Sequence, residues 1–141
     1  MEIRNVMTRN VEVIAPEATI QEAAQKMRAK DVGALPVCDG DRLAGMVTDR
    51  DIAVRATGEG HNPQRTKVRD VMTPKVVFLS EHQAVETAAR VMEEMQVRRL
   101  PVLSRDSRLV GIVSLGDLAM GIGDERLAGR VLKEVSMPSQ P

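Results

Sequence analysis

Two stretches hold the residues able to do chemistry. Gly45-Met46-Val47-Thr48-Asp49-Arg50-Asp51 recurs as Gly111-Ile112-Val113-Ser114-Leu115-Gly116-Asp117. Each is a glycine, two apolar residues, a hydroxyl, two variable positions and an aspartate. The apolar pair suits the end of a buried strand. The hydroxyl falls where the strand gives way to a helix, the place of an N-cap. The aspartate then lies in the first helical turn, on the side of the free backbone N–H groups. Two chemistries fit. Thr48-x-x-Asp51 and Ser114-x-x-Asp117 read as capping boxes with a shorter acid than the usual Glu. A strand-to-helix turn with free N–H groups also favours a phosphate or a sugar. A cap is shared with, or displaced by, a ligand, so both readings stay open.

No catalytic constellation accompanies them. Cys38 has no histidine partner, and neither motif carboxylate is paired with another. An enzyme is therefore the weakest reading. Cys38, the single cysteine, allows no internal disulfide and fits a reducing compartment. It reads as a small buried hydrophobe. His61 reads as solvated, His82 starts the second helix region, and no Cys or acid spacing supports a zinc site. Lys plus Arg and Asp plus Glu number 20 each, which argues against a nucleic-acid coat or a polybasic membrane patch. Phe78 is the only aromatic residue, so no stacking platform for nucleic acid exists. No apolar run reaches membrane-spanning length, and the charged start Met1–Asn5 lacks a signal-peptide core. Together these predict a cytoplasmic protein.

The elements that position the two motifs are duplicated. Residues 6–41 align with 71–106 without a gap, and 42–54 with 108–120 after one insertion. Val6-Met7-Thr8 returns as Val71-Met72-Thr73, and Leu35-Pro36-Val37 as Leu100-Pro101-Val102. Two incomplete units predict mutual burial of their apolar faces. Within the first copy, Val11 and Val13 alternate as a short strand. Thr19-x-x-Glu22 opens a helix whose stripe is Ile20, Ala23, Ala24 and Met27. Strands Ala34–Cys38 and Leu43–Val47 flank the turn Asp39-Gly40-Asp41, and Pro36 marks an edge or a bulge. A helix follows the Thr48 motif and stops near Gly58. Residues 58–69 are a polar connection. In the second copy, Val76–Leu79 predicts a buried strand, and Val85, Ala88, Ala89, Met92 and Met95 a helical stripe. Val102-Leu103 and Leu109–Val113 pair as a hairpin, and Leu118-Ala119-Met120 starts the last repeat helix, with Gly121 and Gly123 interrupting it. Leu127, Val131 and Val135 predict an amphipathic tail helix, followed by disorder-prone Pro138 and Pro141. The domain plan is residues 1–62, 63–123, and a tail of 124–141.

The Val-Met-Thr opening, the Leu-Pro-Val strand and Gly-h-h-[Thr/Ser]-x-x-Asp occur in both copies over about residues 3–122. Their combination resembles the CBS-domain pair, or Bateman module. Met-Arg-x-x-Asp-x-Gly-Ala-Leu-Pro and Met-Glu-Glu-x-Gln-Val-Arg-Arg resemble the small stand-alone bacterial pairs of the hypoxic response protein type. The resemblance implies an α/β (α+β) fold of two βαββα-type repeats about a pseudo-two-fold axis, with small sheets flanked by helices. It implies two clefts. In one, Met46, Thr48 and Asp51 would face Val76, Val77, Val97, Arg98 and Arg99. In the other, Ile112, Ser114 and Asp117 would meet Thr8, Val11, Glu12, Val32 and Gly33. Arg98 and Arg99 stand where the first copy has Gly33 and Ala34, so the two sites should be unequal, with the arginines and their phosphate preference on the Thr48/Asp51 side. The implied function is regulatory: an adenine nucleotide (AMP, ADP or ATP) is bound, no cofactor is required, and the chain signals as a homodimer to an unknown effector protein. A ligand-free interaction module and a binder of S-adenosylmethionine or NAD are the alternatives.

Overall fold

The structure, a computed structural model, describes residues 1–122 and 125–136. The expectations for Gly123, Pro138 and Pro141 fall outside the described residues. The chain forms two compact units, residues 12–76 and residues 1–11 with 77–141. We call them the Thr48 unit and the Ser114 unit. This partition differs from a linear cut at residue 62. Each unit contains the opening segment that the sequence attaches to the other repeat.

In the Thr48 unit, Thr19 caps α1 (Ile20–Lys30), its Oγ1 accepting the Glu22 N–H at 3.2 Å. Ile20, Ala23 and Met27 are buried, but Ala24 is exposed, so the apolar stripe is narrower than its spacing predicts. Strands β1 (Ala34–Asp39) and β2 (Arg42–Thr48) form an antiparallel hairpin turned at Gly40, whose φ is +66°. The ladder slips between Val37 and Cys38, next to Pro36, which has no N–H to pair. The short strand β3 (Thr73–Pro74) adds to the other edge of β2, with Thr73 opposite Met46. The strand expected at Val11–Val13 reduces to one parallel bridge, Ile14 to Val37. After Thr48 comes a π-helical segment, Asp51–Ala56, and then a 3-10 turn, Thr57–Glu59. The left-handed residue that closes it is Gly60, at φ +78°, not Gly58. Val68 and Val71 of the second opening segment are buried in this unit's core beside Leu35, Val37 and Val47.

The Ser114 unit repeats the plan. Strand β4 (Leu79–Ser80) runs parallel to β5 (Arg99–Leu103), which pairs antiparallel with β6 (Leu109–Ser114). Between β4 and β5, α2 (Val85–Met95) buries Val85, Ala88, Ala89 and Met92 and leaves Met95 exposed. Thr8 bridges Ile112, as Thr73 pairs with Met46. The continuous buried strand expected at Val76–Leu79 does not form. Lys75 takes φ +53°, the ladder starts only at Leu79, and Val77 and Phe78 are exposed. Helix α3 (Leu115–Ile122) follows β6, and α4 (Glu125–Ser136) packs on α2 and α3. The tail helix therefore forms, although the side chains of Leu127, Val131 and Val135 lie outside the described ones.

The motif glycines have a packing cause. A Cβ on Gly45 would collide with the Thr73 carbonyl, and one on Gly111 would meet the Thr8 carbonyl at 2.7 Å. Met72 and Met7 sulfurs crowd the same two places. Val-Met-Thr and the glycine of Gly-h-h-[Thr/Ser] are thus two parts of one contact, repeated in each unit.

Candidate functional site

Each motif ends β2 or β6 and starts a helical segment. Thr48 N–H donates to Asp51 Oδ2 at 2.9 Å, and Asp51 N–H donates to Thr48 Oγ1 at 3.1 Å. Ser114 and Asp117 do the same at 2.9 and 3.0 Å. Both capping boxes are complete. The rest of each carboxylate is used differently. Arg55, one turn on, stands 3.7 Å from Asp51 Oδ1. Asp117 Oδ2 also accepts the Thr8 hydroxyl at 3.5 Å, and its Oδ1 has no hydrogen bond among the described residues. An unbonded carboxylate oxygen is what a ribose hydroxyl needs as acceptor.

Register places the arginines. Arg99 is opposite Ser114 in the β5–β6 ladder, and the Leu115 N–H donates to the Arg98 carbonyl at 2.8 Å. Arg98, Arg99 and Ser114 consequently line one cavity of about 550 Å³ in the Ser114 unit. Leu115, Gly116 and Ala119 of α3 form its apolar wall, and Gly129 and Leu132 of α4 add to it. That volume suits one small ligand. The arginines were expected to be missing from the Ser114/Asp117 side. They stand on it, because a hairpin brings the residue before Leu-Pro-Val opposite the hydroxyl that ends the next strand.

The remaining predicted residues distribute by unit. Met46, Thr48, Asp51 and Val76 belong to the Thr48 unit, as do Glu12, Val32 and Gly33. Thr8, Val11, Val77 and Val97 belong to the Ser114 unit with Ile112. Thr8 bridges Ile112, and its hydroxyl donates to Asp117. In the Thr48 unit, Gly33 approaches Asp49, whose Oδ2 lies 3.0 Å from where a Gly33 Cβ would be. Asp49 was not singled out in the sequence. Its signal was available, since it is an acid where the second copy has Leu115. In the Thr48 unit another cavity, about 630 Å³, is lined by Arg55, His61, Arg65 and Asp70 among others, but not by Thr48 or Asp51 themselves.

Cys38 is buried, and burial followed by the charge of Asp41 pushes its thiol above the ordinary range. That is an inert thiol. Among the described residues, no three His, Cys, Asp or Glu side chains are grouped to hold a metal ion, and no helix is long and apolar enough to cross a membrane.

Comparison with known proteins agrees with this architecture. The CBS domain family model matches residues 3–57 and 68–124. The CBS domain-containing protein YhcV of Bacillus subtilis is 42% identical over 134 residues, covering 95% of this chain and 94% of that protein. A crystal structure of Hypoxic Response Protein I with two coordinated zinc ions has a TM-score of 0.79 and 39% identity, covering 85% of this chain and 98% of that one. A crystal structure of CBSX2 in complex with AMP has a TM-score of 0.75 and 29% identity, covering 87% and 98%. With its two matched repeats, this chain belongs to the CBS-domain family.

Proposed function

We propose that this CBS pair is a regulatory protein that binds an adenine nucleotide at the Ser114/Asp117 turn and has no catalytic role. The observation that carries the reading is the single cavity shared by Arg98, Arg99 and Ser114. Asp117 Oδ1 would accept a ribose hydroxyl, the apolar wall of α3 would take the base, and the arginines would take the phosphate. Arginine's planar fork suits phosphate oxygens. A CBS neighbour of similar fold is described in complex with AMP. The nucleotide would favour one conformation of a cytoplasmic homodimer, and an effector protein would read it. Calorimetric titration of the full chain with AMP tests this. AMP should bind one such site, and Asp117→Ala should weaken it roughly ten- to hundredfold, the worth of a charged hydrogen bond.

A second reading has its own observation. Both capping boxes are already satisfied within the chain. On that reading the turns are structural and the protein is a ligand-free interaction module. Asp117→Ala would then lower the melting temperature, and no adenosyl ligand, S-adenosylmethionine and NAD included, would raise it in the wild type.

A further inference from the structure

The cavity of the Ser114 unit has a wall that the repeat does not supply. Helix α4 follows only the second copy; after the first, residues 57–67 run as short turns and coil. Gly129 and Leu132 place α4 on the cavity beside Arg98 and Arg99. The Arg98 guanidinium donates from Nη2 to Ser136 Oγ at 3.3 Å, in the last turn of α4. At its middle the helix is fastened to α2, where Arg130 Nε meets Glu93 Oε1 at 2.8 Å. So the end of α4 occupies a donor that the proposed function assigns to phosphate.

We infer that α4 is a built-in competitor for the nucleotide phosphate, and that its last turn reports whether the site is occupied. Three points support the sign. The N–H that Arg98 Nη2 gives to Ser136 is withdrawn from one of the forks the guanidinium can offer phosphate, so the hydroxyl competes for that donor. The final carbonyls of a helix have no intrahelical partners and carry partial negative charge. They therefore favour Arg98 and disfavour an anion beside it. The Arg130–Glu93 pair fastens the helix more than a turn before Ser136, so the Arg98–Ser136 bond can break while that anchor holds. Lys133 shares the last turn, but it is not on the cavity wall. The inference rests on the nucleotide reading above and names its regulation.

The test compares AMP with adenosine, because adenosine has no phosphate to compete for Arg98. In the full chain, Ser136→Ala should raise AMP affinity severalfold and leave adenosine affinity unchanged. Ser136→Asp sets a carboxylate beside Arg98. It should lower AMP affinity about tenfold, again without moving adenosine. Amide hydrogen exchange over residues 132–136 should speed up when AMP binds. The inference is overturned if both ligands respond alike to the Ser136 variants, or if AMP slows exchange there, which would make α4 part of the binding site. Arg98→Ala separates the two levels. If AMP's advantage over adenosine depends on Arg98 but not on Ser136, this inference alone fails. If the wild type binds neither ligand, the nucleotide reading fails and this one with it.

Discussion

In the Thr48 unit the Asp49 N–H donates to the Gly33 carbonyl at 2.9 Å; in the Ser114 unit the Leu115 N–H donates to the Arg98 carbonyl at 2.8 Å. Ala34 faces Thr48 across one ladder as Arg99 faces Ser114 across the other. The backbones match, and the side chains reverse the charge. One unit sets a carboxylate beside a glycine; the other sets two arginines beside a leucine. The latches that hold the opening segments also differ. Glu17 of the Thr48 unit's body grips Lys67 and Arg69, each at 2.8 Å. In the Ser114 unit the acid is on the opening segment itself, where Glu2 meets Arg4 at 2.7 Å and His82 at 3.4 Å. Packing positions such as Gly45 and Gly111 stay alike because a backbone carbonyl presses on each. Positions facing a cavity or solvent are free to diverge, and there the two copies have taken different chemistry.

The largest effect should come from cutting the chain. Residues 1–62 omit Val68 and Val71, both in the Thr48 unit's core, and the strand β3. Each such buried valine contributes about 1.5–3 kcal/mol, which a piece this small has no margin to lose. Residues 1–62 should show no cooperative unfolding by circular dichroism. Residues 12–76, the compact unit itself, should retain more helix and a transition. If the two fragments behave alike, the exchange of opening segments has no energetic weight.

Next come Gly45→Ala and Gly111→Ala. Each added methyl meets a backbone carbonyl that cannot swing aside, so each should cost about 1–3 kcal/mol, read by urea denaturation. Gly129→Ala, with nothing within 4 Å of its Cβ, is the control. It should be neutral or stabilise by up to about 1 kcal/mol. A tolerated alanine at either motif glycine would show that the two units are not built on the same contact.

Transplanting the charge sharpens the comparison. Gly33→Arg and Ala34→Arg with Asp49→Leu give the Thr48 turn both arginines and the leucine of the Ser114 turn. The triple variant should gain AMP affinity at that turn, and calorimetry should show a second binding event absent from the wild type. Adenosine should gain little. If AMP and adenosine rise together, charge is not what separates the turns.

The smallest effect belongs to Glu17. The Lys67 hydrogen bond, and then the charges of Arg69 and Lys67, hold its exposed carboxyl below the ordinary value. A carboxylate lowered in the folded state stabilises above its unfolded pKa, about 4.3, and that contribution is lost as pH falls through the folded value. Glu17→Gln should therefore melt slightly below the wild type at pH 7. The gap should close below pH 4 and shrink with salt. A gap that persists at low pH would mean that packing, not charge, makes this latch.

Much of this was legible in the residues. The duplication, Thr19 capping α1, the Pro36 bulge and the Ser114/Asp117 and Thr48/Asp51 boxes follow from spacing and side-chain chemistry. Three features did not. Val76–Phe78 looked buried because apolar runs suggest strands, but periodicity is blind to a left-handed Lys75 that delays the ladder. The exchange of opening segments depends on tertiary packing, though the glycines of the motif were a clue once asked what crowds them. The side on which Arg98 and Arg99 stand was available from hairpin register: residue 99 must oppose residue 114 if Val102 pairs with Gly111.

That last placement is the centre of the account, and a double-mutant cycle on AMP affinity measures it. Arg99→Ala should cost roughly ten- to hundredfold in the wild type. In an Asp117→Ala background it should cost much less, because the ligand is no longer held at that turn, giving a coupling of about 1 kcal/mol or more. In an Asp51→Ala background the cost should be the same as in the wild type. Coupling of Arg99 to Asp51 with none to Asp117 would contradict the account and return the arginines to the Thr48 side.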